Sequence, residues 1–201
     1  MTMVSPRDEA RGLATGAGVM VGFGVLWALA GGPGLPTSFA VALIVMLVAG
    51  VIGSIIAITL LWRRAAGAAP DKYTDAAAPG SNTNKWFAVV FTVEMGAIAL
   101  AIWLLVRTGH TALIAPVVAV IVGVHFLPLA ALFQARAYYM TGIVMSLLAI
   151  ICIVAVVVGA HPGGTSARLW SSVVGLGSAA ILWATALWIL VQGFRIVGRA
   201  G

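Results

Sequence analysis

Six apolar runs, each about 20 residues long and set off by polar breaks, constrain this chain more than any other feature. They cover roughly 12–31, 38–62, 86–106, 112–133, 139–159 and 169–194. In a helix, about 20 predominantly apolar residues rising 1.5 Å each cross the hydrocarbon core of a bilayer. No run alternates with the period of two that a transmembrane barrel strand needs. The expected fold class is therefore all-α: a polytopic transmembrane helical bundle of six spans. A water-soluble globule is excluded, because only 8% of the 201 residues are charged, where soluble domains carry about a quarter.

The breaks hold helix-ending chemistry. Gly31-Gly32-Pro33-Gly34-Leu35-Pro36 ends the first run, Arg107-Thr108-Gly109-His110 the third, and His161-Pro162-Gly163-Gly164 the fifth. The long connection 63–85, rich in Ala, Pro, Gly, Ser and Asn, reads as a mobile cytoplasmic loop. Residues 1–201 thus form a single membrane domain, with a two-helix hairpin at 12–62 and a four-helix part at 86–194. No internal repeat marks an inverted-repeat transporter.

Orientation follows from the basic residues. Nine of the eleven fall on one side of a six-span chain: Arg7, Arg11, Arg63, Arg64, Lys72, Lys85, Arg136, Arg195 and Arg199. Only Arg107 and Arg168 fall on the other, so both termini are expected to be cytoplasmic, in a multi-pass protein of the cytoplasmic membrane. The formal charge of +6 is explained by this placement and does not indicate nucleic acid as a partner. Residues 1–30 imitate a secretory signal, with Ala28-Leu29-Ala30 as cleavage site. The apolar run is longer than a signal's, and Asp8 and Glu9 sit in its leader, so an uncleaved first span is the preferred reading.

Within the spans, Glu94 and His125 stand out. Residues equidistant from the turn between Gly109 and His110 lie at equal depth in a hairpin, and these two are such a pair. Each sits roughly 13 Å from the cytoplasmic end of its helix. An ionised carboxylate alone at mid-helix costs about 2.5–3.5 kcal/mol on insertion scales. A Glu–His pair sharing one proton costs less, and it leaves a proton that can move. Glu94 and His125 are the candidate catalytic or proton-carrying residues; the bland account of His125 is a helix-packing imidazole bonded to a neighbouring helix.

Pro128 lacks an N–H, which frees the carbonyl of Val124, and Gly123 thins the same stretch. Gly123 and Pro128 are the expected helix kink, forming with His125 a polar notch that should face protein or water. At helical spacing His125, Pro128, Leu129, Leu132 and Arg136 share a stripe that leads to Arg136, Tyr138 and Tyr139. We read the stripe as a pocket open to the cytoplasm, with Arg136, Tyr138, Tyr139 and Trp183 as candidate substrate-binding residues. Anchoring at the membrane interface is the plainer account of Arg136, Tyr138 and Tyr139, as helix packing is of Trp183 and Trp188.

Small residues recur at close-packing spacing: Gly12 and Gly16, Gly18 and Gly22, Gly50 with Gly53 and Ser54. They suit helix packing within a bundle or a homo-oligomer seam. Other chemistries lack their residues. There is no G-x-x-x-x-G-K-[ST] phosphate loop, no C-x-x-C, no zinc ligand set, and one intramembrane histidine where bis-histidine haem needs two. No cofactor or metal is expected.

The stretch Val122-Gly123-Val124-His125-Phe126-Leu127-Pro128-Leu129-Ala130, followed by Tyr138-Tyr139-Met140-Thr141-Gly142, resembles a pattern of small bacterial polytopic membrane proteins for which no activity is known. The resemblance covers about 20 residues at the fourth and fifth helices. It implies the six-helix fold and carries no functional residues with it.

Three functions are compatible with these residues. The first is binding or moving a small solute or protons through Glu94 and His125. The second is a membrane-embedded enzyme acting on a lipid or isoprenoid-like substrate by acid–base catalysis with the same two groups. The third is a structural or assembly subunit. Only two ionisable groups lie at depth, which favours the first. The partners implied are the bilayer, a small-molecule or lipid ligand, and a second copy of the chain.

Overall fold

A computed structural model of the chain describes residues 6–32, 37–67, 81–133, 135–160 and 168–200. Six helices follow in order: α1 (Pro6–Gly31), α2 (Thr37–Gly67), α3 (Ser81–Arg107), α4 (Ile114–Phe133), α5 (Arg136–Val157) and α6 (Arg168–Ala200). A 3-10 turn, Thr111–Leu113, leads into α4. All six helices are long and apolar enough to cross a membrane, and no strand occurs among the described residues. The connection read at 63–85 is shorter than expected, since α2 runs on to Gly67 and α3 starts at Ser81. Residues 68–80 lie outside the described residues, as do the breaks at 33–36 and 161–167.

The fifth helix begins earlier than the apolar run 139–159 implies. Ala135 is extended, with φ −99° and ψ 99°, and its carbonyl accepts the N–H of Tyr138. That places Arg136 in the first turn of α5, not at the end of α4.

Two helix ends share one device. Gly109 has φ 75° and Gly159 has φ 67°, the left-handed region open to glycine. His110 N–H reaches Leu105 O and Gly109 N–H reaches Val106 O; Ala160 to Ala155 and Gly159 to Val156 repeat the pattern. These are Schellman closures, which satisfy carbonyls that would end the helix unpaired. The indole N–H of Trp170 then donates to Ala160 O at 2.8 Å, tying the start of α6 to the end of α5.

The helices run up and down. Gly31 meets Gly175, and Val21 meets Trp183, so α1 and α6 are antiparallel and both chain termini lie at one end of the bundle. Small residues make this contact possible. Ala10, Ala14 and Ala17 of α1 are fully buried, and a Cβ on Gly175 would stand 2.6 Å from Gly31 Cα. Small residues let backbones approach where lipid removes the hydrophobic driving force between helices. Around this crossing the core fills with Leu61, Met145, Cys152, Val174 and Leu182, all fully buried.

Neighbours then add outward. α2 packs on α1 and α6, and α5 packs on α6 and α4. At the terminal end, the guanidinium of Arg11 stacks 5.5 Å over Trp62, and that of Arg64 lies 5.4 Å over Phe194. α3 is peripheral: it packs chiefly on α4, and Val93, Leu100 and Trp103 are among its exposed apolar residues.

Candidate functional site

The α3–α4 turn sets the register that brings the expected pair together. Oε2 of Glu94 lies 3.2 Å from Nδ1 of His125, and the two side chains are only 10% and 9% exposed. The distance fits an ion pair or a shared proton, but the two atoms are not aligned as a hydrogen bond, and buried Nδ1 has no other partner. Phe126 meets the imidazole edge-on at 6.3 Å. The two groups are thus held in the seam between α3 and α4, with one acid and one base facing each other in apolar surroundings.

The rest of the expected notch is divided differently. Gly123 faces away from His125: a Cβ there would strike Ser146 Oγ and come within 3.0 Å of Gly142 O and Ser146 N, all on α5. Residues two apart on a helix point about 200° apart, so a glycine serving α5 cannot line a pocket beside an imidazole serving α3. α4 runs unbroken through Pro128, and both Pro128 and Val124 are exposed on the bundle's outer face. The notch is therefore not enclosed by protein, because α3, the neighbour on that side, covers His125 but not Pro128.

The stripe from His125 to Arg136 is also broken. With Arg136 on α5, its side chain lies at the mouth of a groove between α5 and α6, whose walls do not include Glu94 or His125. Tyr138 is part-buried, its ring 6.0 Å from Phe126 and its hydroxyl against Gly16 of α1. Tyr139 is exposed. Trp183 joins neither place: its indole N–H donates to Val21 O at 3.3 Å, and its ring fills the spaces left by Gly24 and Gly50. It locks α6 to α1 and α2.

The groove brings together residues that sequence reasoning left out. Thr141 Oγ1 and Thr185 Oγ1 are 2.7 Å apart, and Trp188 forms part of the wall. The rule that placed Glu94 opposite His125 also applies to the α5–α6 hairpin. Thr141 and Thr185 stand equidistant from position 163, within the 161–167 break, but mid-helix threonines carry no charge to attract notice.

The Gly-rich faces are spent unevenly. Gly16, Gly24, Gly31, Gly50, Gly123, Gly142, Gly175 and Gly193 meet neighbouring helices within the bundle. Gly12, Gly22 and Gly53 meet nothing within 4 Å.

Fold and seam define a class: an all-helical bundle of six membrane-length helices with an acid–base pair held between its peripheral helix and its neighbour. No family model matches the chain, and no curated protein or solved structure matches it either.

Proposed function

We propose that this chain is a multi-pass protein of the cytoplasmic membrane, with both termini in the cytoplasm, that binds or moves a small solute or protons through Glu94 and His125. The contact between Glu94 Oε2 and His125 Nδ1 at 3.2 Å, at equal depth on antiparallel helices, carries the reading. One proton distributed over the pair gives either a neutral acid beside a neutral imidazole or a carboxylate beside an imidazolium. Each form finds its complement across the seam, so a passing solute or water meets a site that accepts or releases a proton without leaving a lone charge in hydrocarbon.

The packing supplies a movable element. α3 rests chiefly on α4, and segments with few buried contacts open at the least free-energy cost. Displacement of α3 exposes the pair, and its return encloses it. The orientation rests on the sequence bias of the basic residues, nine of eleven falling on one side of a six-span order. The enzyme reading has less support, since the α5–α6 groove that would hold a lipid-like substrate is not lined by either titratable group.

Infrared difference spectroscopy of the protein in nanodiscs tests this. A carboxyl C=O band that titrates between about pH 5 and 8, disappears in Glu94→Gln and moves in His125→Ala, is the expected result. A band indifferent to His125, or none at all, overturns the shared-proton site and leaves a structural bundle.

A further inference from the structure

The groove between α5 and α6 is separate from the Glu94–His125 seam and has its own chemistry. It measures about 460 Å³, within the range of about 300–1,000 Å³ typical of ligand sites. Met140, Val144 and Trp188 on its walls are 61%, 44% and 51% exposed, so it opens sideways along the bundle. From Arg136 at its mouth to Val144 it runs about 12 Å along α5, at 1.5 Å per residue.

Its interior suits an alkyl chain and rejects a polar solute. The Thr141 and Thr185 hydroxyls bond each other, and each also contacts the carbonyl four residues back, Ala137 O and Ile181 O, at 2.9 Å. Two hydroxyl hydrogens serve this chain, one donated across and one donated to a carbonyl, so neither is left for a ligand. Its mouth is the opposite case. The Arg136 guanidinium is exposed and makes no ion pair, hydrogen bond or ring contact among the described residues. The described acids Glu9 and Glu94 do not neutralise it. Trp188 lies three residues from Thr185 toward the Arg136 end, about 4.5 Å along the helix, and its indole N–H is likewise without an acceptor among the described residues.

A fixed cation at the mouth, an indole donor just below it and an apolar slot beneath are the order in which a phospholipid presents phosphate, ester and acyl chain. We infer that the α5–α6 groove is a site for an anionic glycerophospholipid, with its phosphate on Arg136 and one acyl chain along Met140, Val144 and Ile181. Charge selects the lipid, since a zwitterionic headgroup brings its own cation to the same place.

Native mass spectrometry of the full chain, released from micelles containing equal amounts of phosphatidylglycerol and phosphatidylcholine with identical chains, tests the inference. The wild type is expected to retain one phosphatidylglycerol in preference. Arg136→Gln is expected to lower that preference about fivefold, the factor given by about 1 kcal/mol per basic residue at an anionic surface. Arg136→Lys is expected to keep most of it, and Lys85→Gln, which removes the same charge at the same end on α3, to leave it unchanged. Ala184→Trp, which fills the groove wall, is expected to reduce retention of both lipids. Equal retention of the two lipids by the wild type overturns the inference. So does a Lys85→Gln loss equal to that of Arg136→Gln, or full retention in Ala184→Trp.

Discussion

Gly123 and His125, two residues apart on α4, serve opposite neighbours: the glycine lets α5 approach to backbone contact, and the imidazole reaches Glu94 on α3. α4 is thereby a two-sided element. One face is locked to α5, and the other holds a single titratable contact to a helix with few other neighbours.

The locked face gives the sharpest stability prediction. Gly123→Ala puts a methyl against Ser146 Oγ and within 3.0 Å of Gly142 O and Ser146 N, two of them backbone atoms that cannot swing aside. Overpacking of this kind costs about 1–3 kcal/mol. Gly22→Ala, where a Cβ meets nothing within 4 Å, is expected to be neutral or slightly stabilising. Reversible unfolding in mixed detergent–SDS micelles measures both, and equal effects would remove the close-approach argument.

At the seam, His125→Leu leaves Glu94 without its partner, and the expected loss is about 2.5 kcal/mol, the insertion cost of a lone acid. Glu94→Leu combined with His125→Leu is expected to recover most of it, because replacing both members of a buried pair removes the uncompensated group. The same unfolding assay decides. A double variant as unstable as the two single losses added together would show that the residues act independently.

The Thr141–Thr185 bond of 2.7 Å joins α5 to α6. Interhelical hydrogen bonds in membranes average about 0.6 kcal/mol, because each hydroxyl has its own helix carbonyl as an alternative. Both threonines have that alternative here. A double-mutant cycle with Thr141→Val and Thr185→Val is expected to give a coupling near that average. A coupling above about 2 kcal/mol would show that the carbonyl bonds do not compete.

Trp183 combines one weak hydrogen bond with extensive packing. Trp183→Phe is expected to cost about 1 kcal/mol for the lost bond to Val21 O. Trp183→Ala, which empties the space beside Gly24 and Gly50, is expected to cost about 3–5 kcal/mol. Unfolding midpoints of the two variants that coincide would assign the role of Trp183 to its N–H and not to its ring.

Some of the site was legible before any tertiary contact was known. Glu94 and His125 were paired by hairpin register alone, since a short turn leaves antiparallel helices little freedom in relative depth. The faces were not legible in the same way. Arg136 is drawn into the stripe below His125 because the apolar run 139–159 does not show that α5 already starts at Arg136. Trp183 was assigned to a pocket because a mid-helix tryptophan looks the same whether it meets a ligand or two glycines.

Chain chemistry alone determined six helices of membrane length, their order along the chain and the common level of Glu94 and His125, because apolar length and turn position act through local backbone geometry. Only the tertiary structure decided which way each helix turns: Gly123 toward α5, His125 toward α3, Arg136 into the α5–α6 groove, Trp183 onto α1. In helices apolar all round, no amphipathic stripe marks the inward face. Rotation is then set by where small residues allow backbones to close, and that depends on both partners at once.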